Sequence, residues 1–200
     1  MGTRNLTLVK SKNEYKIAQF GRFDGYPSGQ GSKILKTITG DFNFDEFRNK
    51  VDNLKQYTDL DINKKMMRFT GPDADKKFVK KYPELSQVFA GEIIQAVYTG
   101  KVKTVFREVR FAANSVFCEW AYVIDLDTNT FEVYHGVNYT PLNKDDRFYY
   151  LQSIKSKYYP LRKQLSWSLY ALPSVDEFMT QCETMSKKIN EEFEETLTRI

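Results

Sequence analysis

Residues 5–38 read NLTLVKSKNEYKIAQFGRFDGYPSGQGSKILKTI, and the succession of periods within this stretch decides the fold class. Two β-favouring runs, LTLV at 6–9 and YKIAQF at 15–20, flank the polar spacer KSKNE, a pattern that predicts an N-terminal hairpin. The next segment, GRFDGYPSGQG at 21–31, holds four of the ten glycines and a proline, too many breakers for a helix or a central strand. SKILKTI follows, with Ile34, Leu35 and Ile38 at helical spacing. Strand, strand, glycine loop, helix is the grammar of a mixed chain.

The same reading extends outward. Asp41 is the expected N-cap of a helix over 42–54, where Phe44, Phe47, Val51 and Leu54 recur at spacings of three and four. Residues 59–71 carry no clear period, 73–82 predict a short basic helix, and Pro83 is expected to open a longer one. In that longer helix Leu85, Val88, Phe89, Ile93, Ala96 and Val97 share a face. VFCEWAYVIDL and TFEVYHG, separated by DTNT, predict a second hairpin over about 115–136, with 104–111 as a further candidate strand. Residues 138–173 read as irregular with one short helix near 146–156. Ser174 and Glu177 then form a capping box that opens a C-terminal helix. Its stripe is Val175, Phe178, Cys182, Met185, Ile189, Phe193 and Leu197, and its outer face ends in an acidic EEFEE. The expectation is one α+β domain over 1–200. Its antiparallel sheet is built from two hairpins (about 5–20 and 115–136), packed by several helices including a long C-terminal one.

Composition removes several function classes. The chain has 200 residues, 41% hydrophobic and 28% charged, proportions that exclude disorder and fibrous repeats. A net charge of +4 is too weak for a dedicated nucleic-acid binder. No apolar run reaches the roughly 18–20 residues that a bilayer span needs, and the start MGTRNLTLVK lacks a signal pattern, so a cytoplasmic protein is expected. Leu6 stands where the N-myristoylation pattern requires Ser or Thr. One histidine and two cysteines without a CxxC exclude a structural zinc site; Cys118 and Cys182 are expected to be buried free thiols. No metal and no cofactor are expected.

The densest group of special residues is 19–32. Four glycines in eleven residues imply a tight loop presenting backbone amides, and it leads directly into a helix, where an anion is favoured. The candidate ligand-binding set is Gln19, Arg22, Asp24, Gly25, Tyr26, Ser28, Gly29, Gln30, Gly31 and Ser32. Arg4 and Glu119 join it if the first strand lies beside this loop and the second hairpin comes near. The segment is neither a Walker motif nor GxGxxG. A purely structural loop with Arg22 and Asp24 paired on its surface stays open, as does an Arg4–Glu119 ion pair. Trp120 and Tyr122 are expected in the core.

GTRNLTLV followed by YKIAQFGRFDGYPSGQG, together with CEWAYVIDLDTNTFEVYHG, resembles a family of uncharacterised phage, bacterial and fungal proteins. The family's motifs are a GTR-N/H-L start and AQ-aromatic-G-x-aromatic-DGYP-x-GQG. The resemblance covers about a quarter of the chain. It implies that Thr3, Arg4, Gln19, Asp24, Gly25, Tyr26, Gly29, Gln30 and Gly31 belong to a shared pattern. This chain departs from many relatives at Phe20, Arg22 and Phe23, and the resemblance supplies no activity.

Three functions are carried forward. The leading expectation is a non-enzymatic binder of a small anionic, nucleotide-like ligand; in a phage it would work in the host cytoplasm, sequestering a host immune signalling nucleotide. The second is a hydrolase in the same pocket, with Asp24 or Glu119 as general acid or base, or with Thr3 as an N-terminal nucleophile. A triad on the lone His135 has no supporting GxSxG. The third is a protein-binding inhibitor using the aromatic and basic surface near 146–170, against a host protein. Oligomeric state is open.

Overall fold

A computed structural model describes residues 2–153 and 157–198, excluding the side chains of 190 and 192–198. The first hairpin joins β1 (Asn5–Ser11) to β2 (Glu14–Gly21) through a two-residue turn, Lys12 and Asn13, both at positive φ. The turn is shorter than the KSKNE spacer implied because the strands absorb its ends. Pro27–Gly31 forms one wide helical turn running straight into α1 (Ser32–Ile38), so the glycine segment is partly helical after all. Pro27 sits at the start of that turn, where a missing N–H costs nothing.

Next come α2 (Phe44–Asp52), the two-residue β3 (Lys55–Gln56), α3 (Asp59–Met66), α4 (Ala74–Lys81) and α5 (Glu92–Tyr98). The cap of α2 is Asn43 rather than Asp41: its side chain accepts from the amides of Asp45 and Glu46 at 3.0 and 2.9 Å. The long helix expected from Pro83 is broken. A single 3-10 turn at Pro83–Leu85 is followed by irregular chain with Ala90 at positive φ, and α5 begins only at Glu92.

β4 (Thr104–Val105) pairs with β3 in a separate small ribbon, and Val109–Ala113 is a 3-10 segment. The second hairpin is β5 (Trp120–Asp125) and β6 (Thr130–His135). Where irregular chain was expected, β7 (Arg162–Ser168) adds an edge strand. Tyr149–Leu151 is a single turn of the short helix expected near 146–156; residues 154–156 of that expectation lie outside the described residues. The capping box at Ser174 and Glu177 forms as expected, and α6 runs Val175–Thr198. Phe193 and Leu197 of its predicted stripe lie outside the described side chains.

The main sheet has the order β2-β1-β5-β6-β7. Each hairpin is antiparallel, but β1 and β5 pair in parallel, Asn5 opposite Trp120 through Lys10 opposite Asp125. The sheet is therefore mixed, a correction to the antiparallel expectation. One consequence is directional: both hairpin turns fall at one end, while the start of β1, the end of β2, the start of β5 and the end of β6 share the other. Asp127 clamps the turn end, its carboxylate accepting from the amides of Lys12 and Asn13 at 2.7 and 2.9 Å.

Both faces of the sheet are covered, which makes the molecule one α+β domain. Val9, Ile17, Tyr122, Ile124, Phe131 and Val133 pack against α1, α2, α5 and α6 through Ile34, Leu35, Phe47, Val51, Ile93 and Phe178. The opposite face sets Leu6, Leu8, Ala18, Ala121, Val123 and Tyr134 against Ala112, Leu142, Phe148 and Leu161. Each fully buried Val, Leu, Ile or Phe side chain among them contributes ~1.5–3 kcal/mol. Both cysteines are buried and free, as expected. Among the described residues no helix is long and apolar enough to cross a membrane.

Candidate functional site

The parallel junction brings the N-terminal segment, the glycine loop, the 115–119 approach to β5 and the exit of β6 together at one end of the sheet. Gly25 donates to Thr3 O at 3.0 Å and its carbonyl accepts from the buried Tyr122 hydroxyl at 2.8 Å. Asp24 adopts positive φ, and its carboxylate lies so close to Gly29 that a Cβ there would stand 2.3 Å from Oδ1. Glycine at 29 is thus required by close approach.

Several of the loop's amides are spent within the protein. Gly29 and Gly31 donate to Tyr26 O at 3.0 and 3.4 Å, Gln30 donates to Asp24 O at 2.9 Å, and Arg22 donates to Gln87 O at 2.8 Å. The side chains of several expected ligand residues are committed as well. Gln19 Nε2 donates to Ser86 O at 3.4 Å, Gln30 Oε1 accepts from Gly91 N at 3.1 Å, and Ser32 Oγ donates to Pro27 O at 2.9 Å. These groups close the loop and tie it to residues 86–91, and the helix beginning at Ser32 is under two turns long.

The two arginines do not form a joint clamp. Arg4 places its guanidinium over the Phe117 ring at 5.1 Å, and Arg22 lies over Phe23 at 5.7 Å while donating to Gln87 Oε1 at 3.4 Å. Glu119 does meet Arg4, though through the backbone: Oε1 accepts from Arg4 N at 3.2 Å.

Three residues of the expected set, Tyr26, Ser28 and Glu119, line a cavity of about 590 Å³ beside the loop. Trp120 and His135 form its back wall, edge to face at 4.7 Å, and Met179, Cys182 and Lys187 of α6 close the far side. Trp120 is buried yet lines the cavity, so it serves core and pocket together. Burial holds the His135 imidazole below its ordinary pKa, a backbone contact at Gly136 offsetting this in part. The Cys182 thiol is pushed up to about 12 by burial and the nearby Glu183. The protonated thiol is a poor nucleophile, so the pairing of a cysteine and a histidine in one cavity does not amount to an activated dyad. Thr3 is buried.

On the surface near 146–170, Phe148 and Leu161 are core and Arg147 is largely buried, whereas Tyr149, Tyr150, Lys163 and Tyr170 are exposed. No protein-family model matches this chain, and no curated protein and no solved structure matches it either.

Proposed function

We propose that this protein is a non-enzymatic binder of a small, nucleotide-like anion held at the strand-start end of the sheet. The observation that carries this reading is the 590 Å³ cavity walled by Tyr26, Trp120 and His135 with the cation of Lys187 on its lining. That volume lies within the range of about 300–1,000 Å³ usual for small-ligand pockets. Aromatic walls accept a flat ring by stacking, which every nucleobase offers. Lys187 is the cation of the lining, set beside the carboxylates of Glu119 and Glu183, and the ring of Tyr26 is exposed at the cavity. The protonated Cys182 thiol is a poor nucleophile, which favours binding over thiol chemistry. In a phage setting the corresponding role is sequestration of a host signalling nucleotide.

Thermal-shift measurements against mono-, di- and cyclic nucleotides test this. A ligand at 100 times its Kd adds about 2.7 kcal/mol to stability, which is easily read. The expected result is a raised Tm with at least one nucleotide, lost in Tyr26→Ala and weakened in Lys187→Ala, with the ligand recovered intact after denaturation. No shift across the panel would overturn the reading, and recovery of a cleaved product would replace it with a hydrolase.

A further inference from the structure

At the opposite end of the molecule, where both hairpins turn, the second face of the sheet changes character. Along β1 its residues run Leu6, Leu8, Lys10, and along β5 Ala121, Val123, Asp125; both strands switch from apolar to charged at the same level. Loop packing covers the apolar half and stops there. Over the charged half lies an open cavity of about 1030 Å³.

Its floor is a prebuilt polar network. Asp125 and Glu132 are almost wholly buried, at 1% and 5% side-chain exposure, and Arg147 Nη2 bridges them at 2.7 and 2.8 Å. Arg147 Nε donates to Glu132 Oε2 at 2.8 Å, and the Tyr134 hydroxyl donates to that same oxygen at 2.8 Å. Oδ1 of Asp125 accepts from the amides of Asp127 and Thr128, whereas its buried Oδ2 has ion-pair contacts and no hydrogen bond of good geometry. Two ammonium groups stand off at ion-pair range: Lys10 Nζ is 3.6 Å from Asp125 Oδ2, and Lys163 Nζ is 3.6 Å from Glu132 Oε1. Donors and acceptors with spare capacity thus alternate across the floor. Tyr15 and Tyr150 add aromatic surface to the wall.

The charges lining this cavity cancel: five Lys and Arg side chains, Lys10, Arg147 and Lys163 among them, face five Asp and Glu, with Asp125 and Glu132 among them. Such a lining offers little net field to an ion. A hydroxyl is donor and acceptor at once, so it can bridge a carboxylate oxygen and an ammonium a few ångströms apart. Aromatic faces suit the C–H side of a ring that carries those hydroxyls. We infer that this cavity is a second, independent binding site, for a neutral polyhydroxylated ring of sugar size. Among the described residues no three His, Cys, Asp or Glu side chains converge as a metal site.

Saturation-transfer NMR and calorimetry on the full chain test this with glucose, galactose, mannose, N-acetylglucosamine, maltose and lactose, with inorganic phosphate and glycine as charged probes. The expected result is binding of at least one sugar, transfer centred on its ring C–H protons, and at least a tenfold loss of affinity in Lys163→Ala and in Tyr150→Ala. Both side chains are substantially exposed, so neither substitution endangers folding. Binding of none of the sugars overturns the inference, as does affinity unchanged in both variants or tighter binding of phosphate or glycine. The Tyr26→Ala variant keeps sugar binding at full strength, which separates this site from the nucleotide cavity.

Discussion

His135 shows how a single residue acquires its properties from its surroundings. In the sequence it is a lone histidine at the end of a strand, with no ligand or triad partner in any motif. Folding half-buries it against Trp120 in the wall of the candidate cavity, and this partial burial disfavours its charged form. Because its folded pKa is depressed, the neutral imidazole contributes stability fully present above the unfolded value of about 6.5 and lost as pH falls toward the lower folded value. Being the single histidine in the chain, it gives one imidazole titration by NMR. A midpoint below 6.5 is expected, and His135→Gln is expected to flatten the loss of urea stability between pH 7 and pH 5. A midpoint at or above 6.5 contradicts the burial argument. Arg147, Asp125 and Glu132 are hidden in the sequence for a related reason: no motif links them, and only the hairpin register, which sets both carboxylates on one face, and the loop returning from 138 bring them within hydrogen-bonding range.

Elements were legible where local chemistry is strong. The capping box at Ser174 and Glu177 and the apolar stripe after it mark α6 from sequence alone, and the helical spacing of Ile34, Leu35 and Ile38 marks α1. The stretch from Pro83 failed for a physical reason. Its apolar spacing is helical, but Ala90 takes positive φ and Gly91 lies hard against Ile34, where a Cβ would stand 2.7 Å from Cγ1. Tertiary packing therefore breaks the helix that periodicity extends. β7 was missed because an edge strand covered on one face shows little alternation among Arg162, Lys163, Gln164 and Ser166. The turn leading into α1 gives a sharp test. A Cβ at Gly31 would meet the Tyr122 and Phe178 rings at 2.8 and 2.9 Å, between a core strand and α6. Gly31→Ala is expected to cost about 1–3 kcal/mol by overpacking, whereas Ser28→Ala on the exposed side of the same turn stays within about 0.5 kcal/mol. Chemical denaturation of both variants checks the contrast; equal stability of the two would contradict the packing.

On the scale of the whole molecule, the central pairing of β1 with β5 ties segments more than a hundred residues apart into one sheet. Neither hairpin has a complete core alone, since Leu8 of the first and Val123 of the second share one apolar cluster. Unfolding is expected to be a single transition, with far-UV circular dichroism coinciding with the tryptophan fluorescence of Trp120 on β5 and Trp167, which sits on β7 and bonds to Gln181 of α6. Leu8→Ala is expected to move both signals together by about 2–5 kcal/mol. Separated midpoints would show independently folding halves.

The sequence alone determined the α+β class, the two hairpins, the C-terminal helix and the glycine segment as a special place, because each is written in local periodicity, capping and breaker residues. The tertiary structure decided that the hairpins join in parallel. That junction gathers both turns at one end and the strand starts at the other, so it fixes where the two cavities lie. It also decided that the amides of Gly25, Gly29 and Gly31 are spent on the N-terminal segment and on the loop itself. Strand order and amide partnership depend on contacts between distant segments, and no local pattern in the chain encodes them.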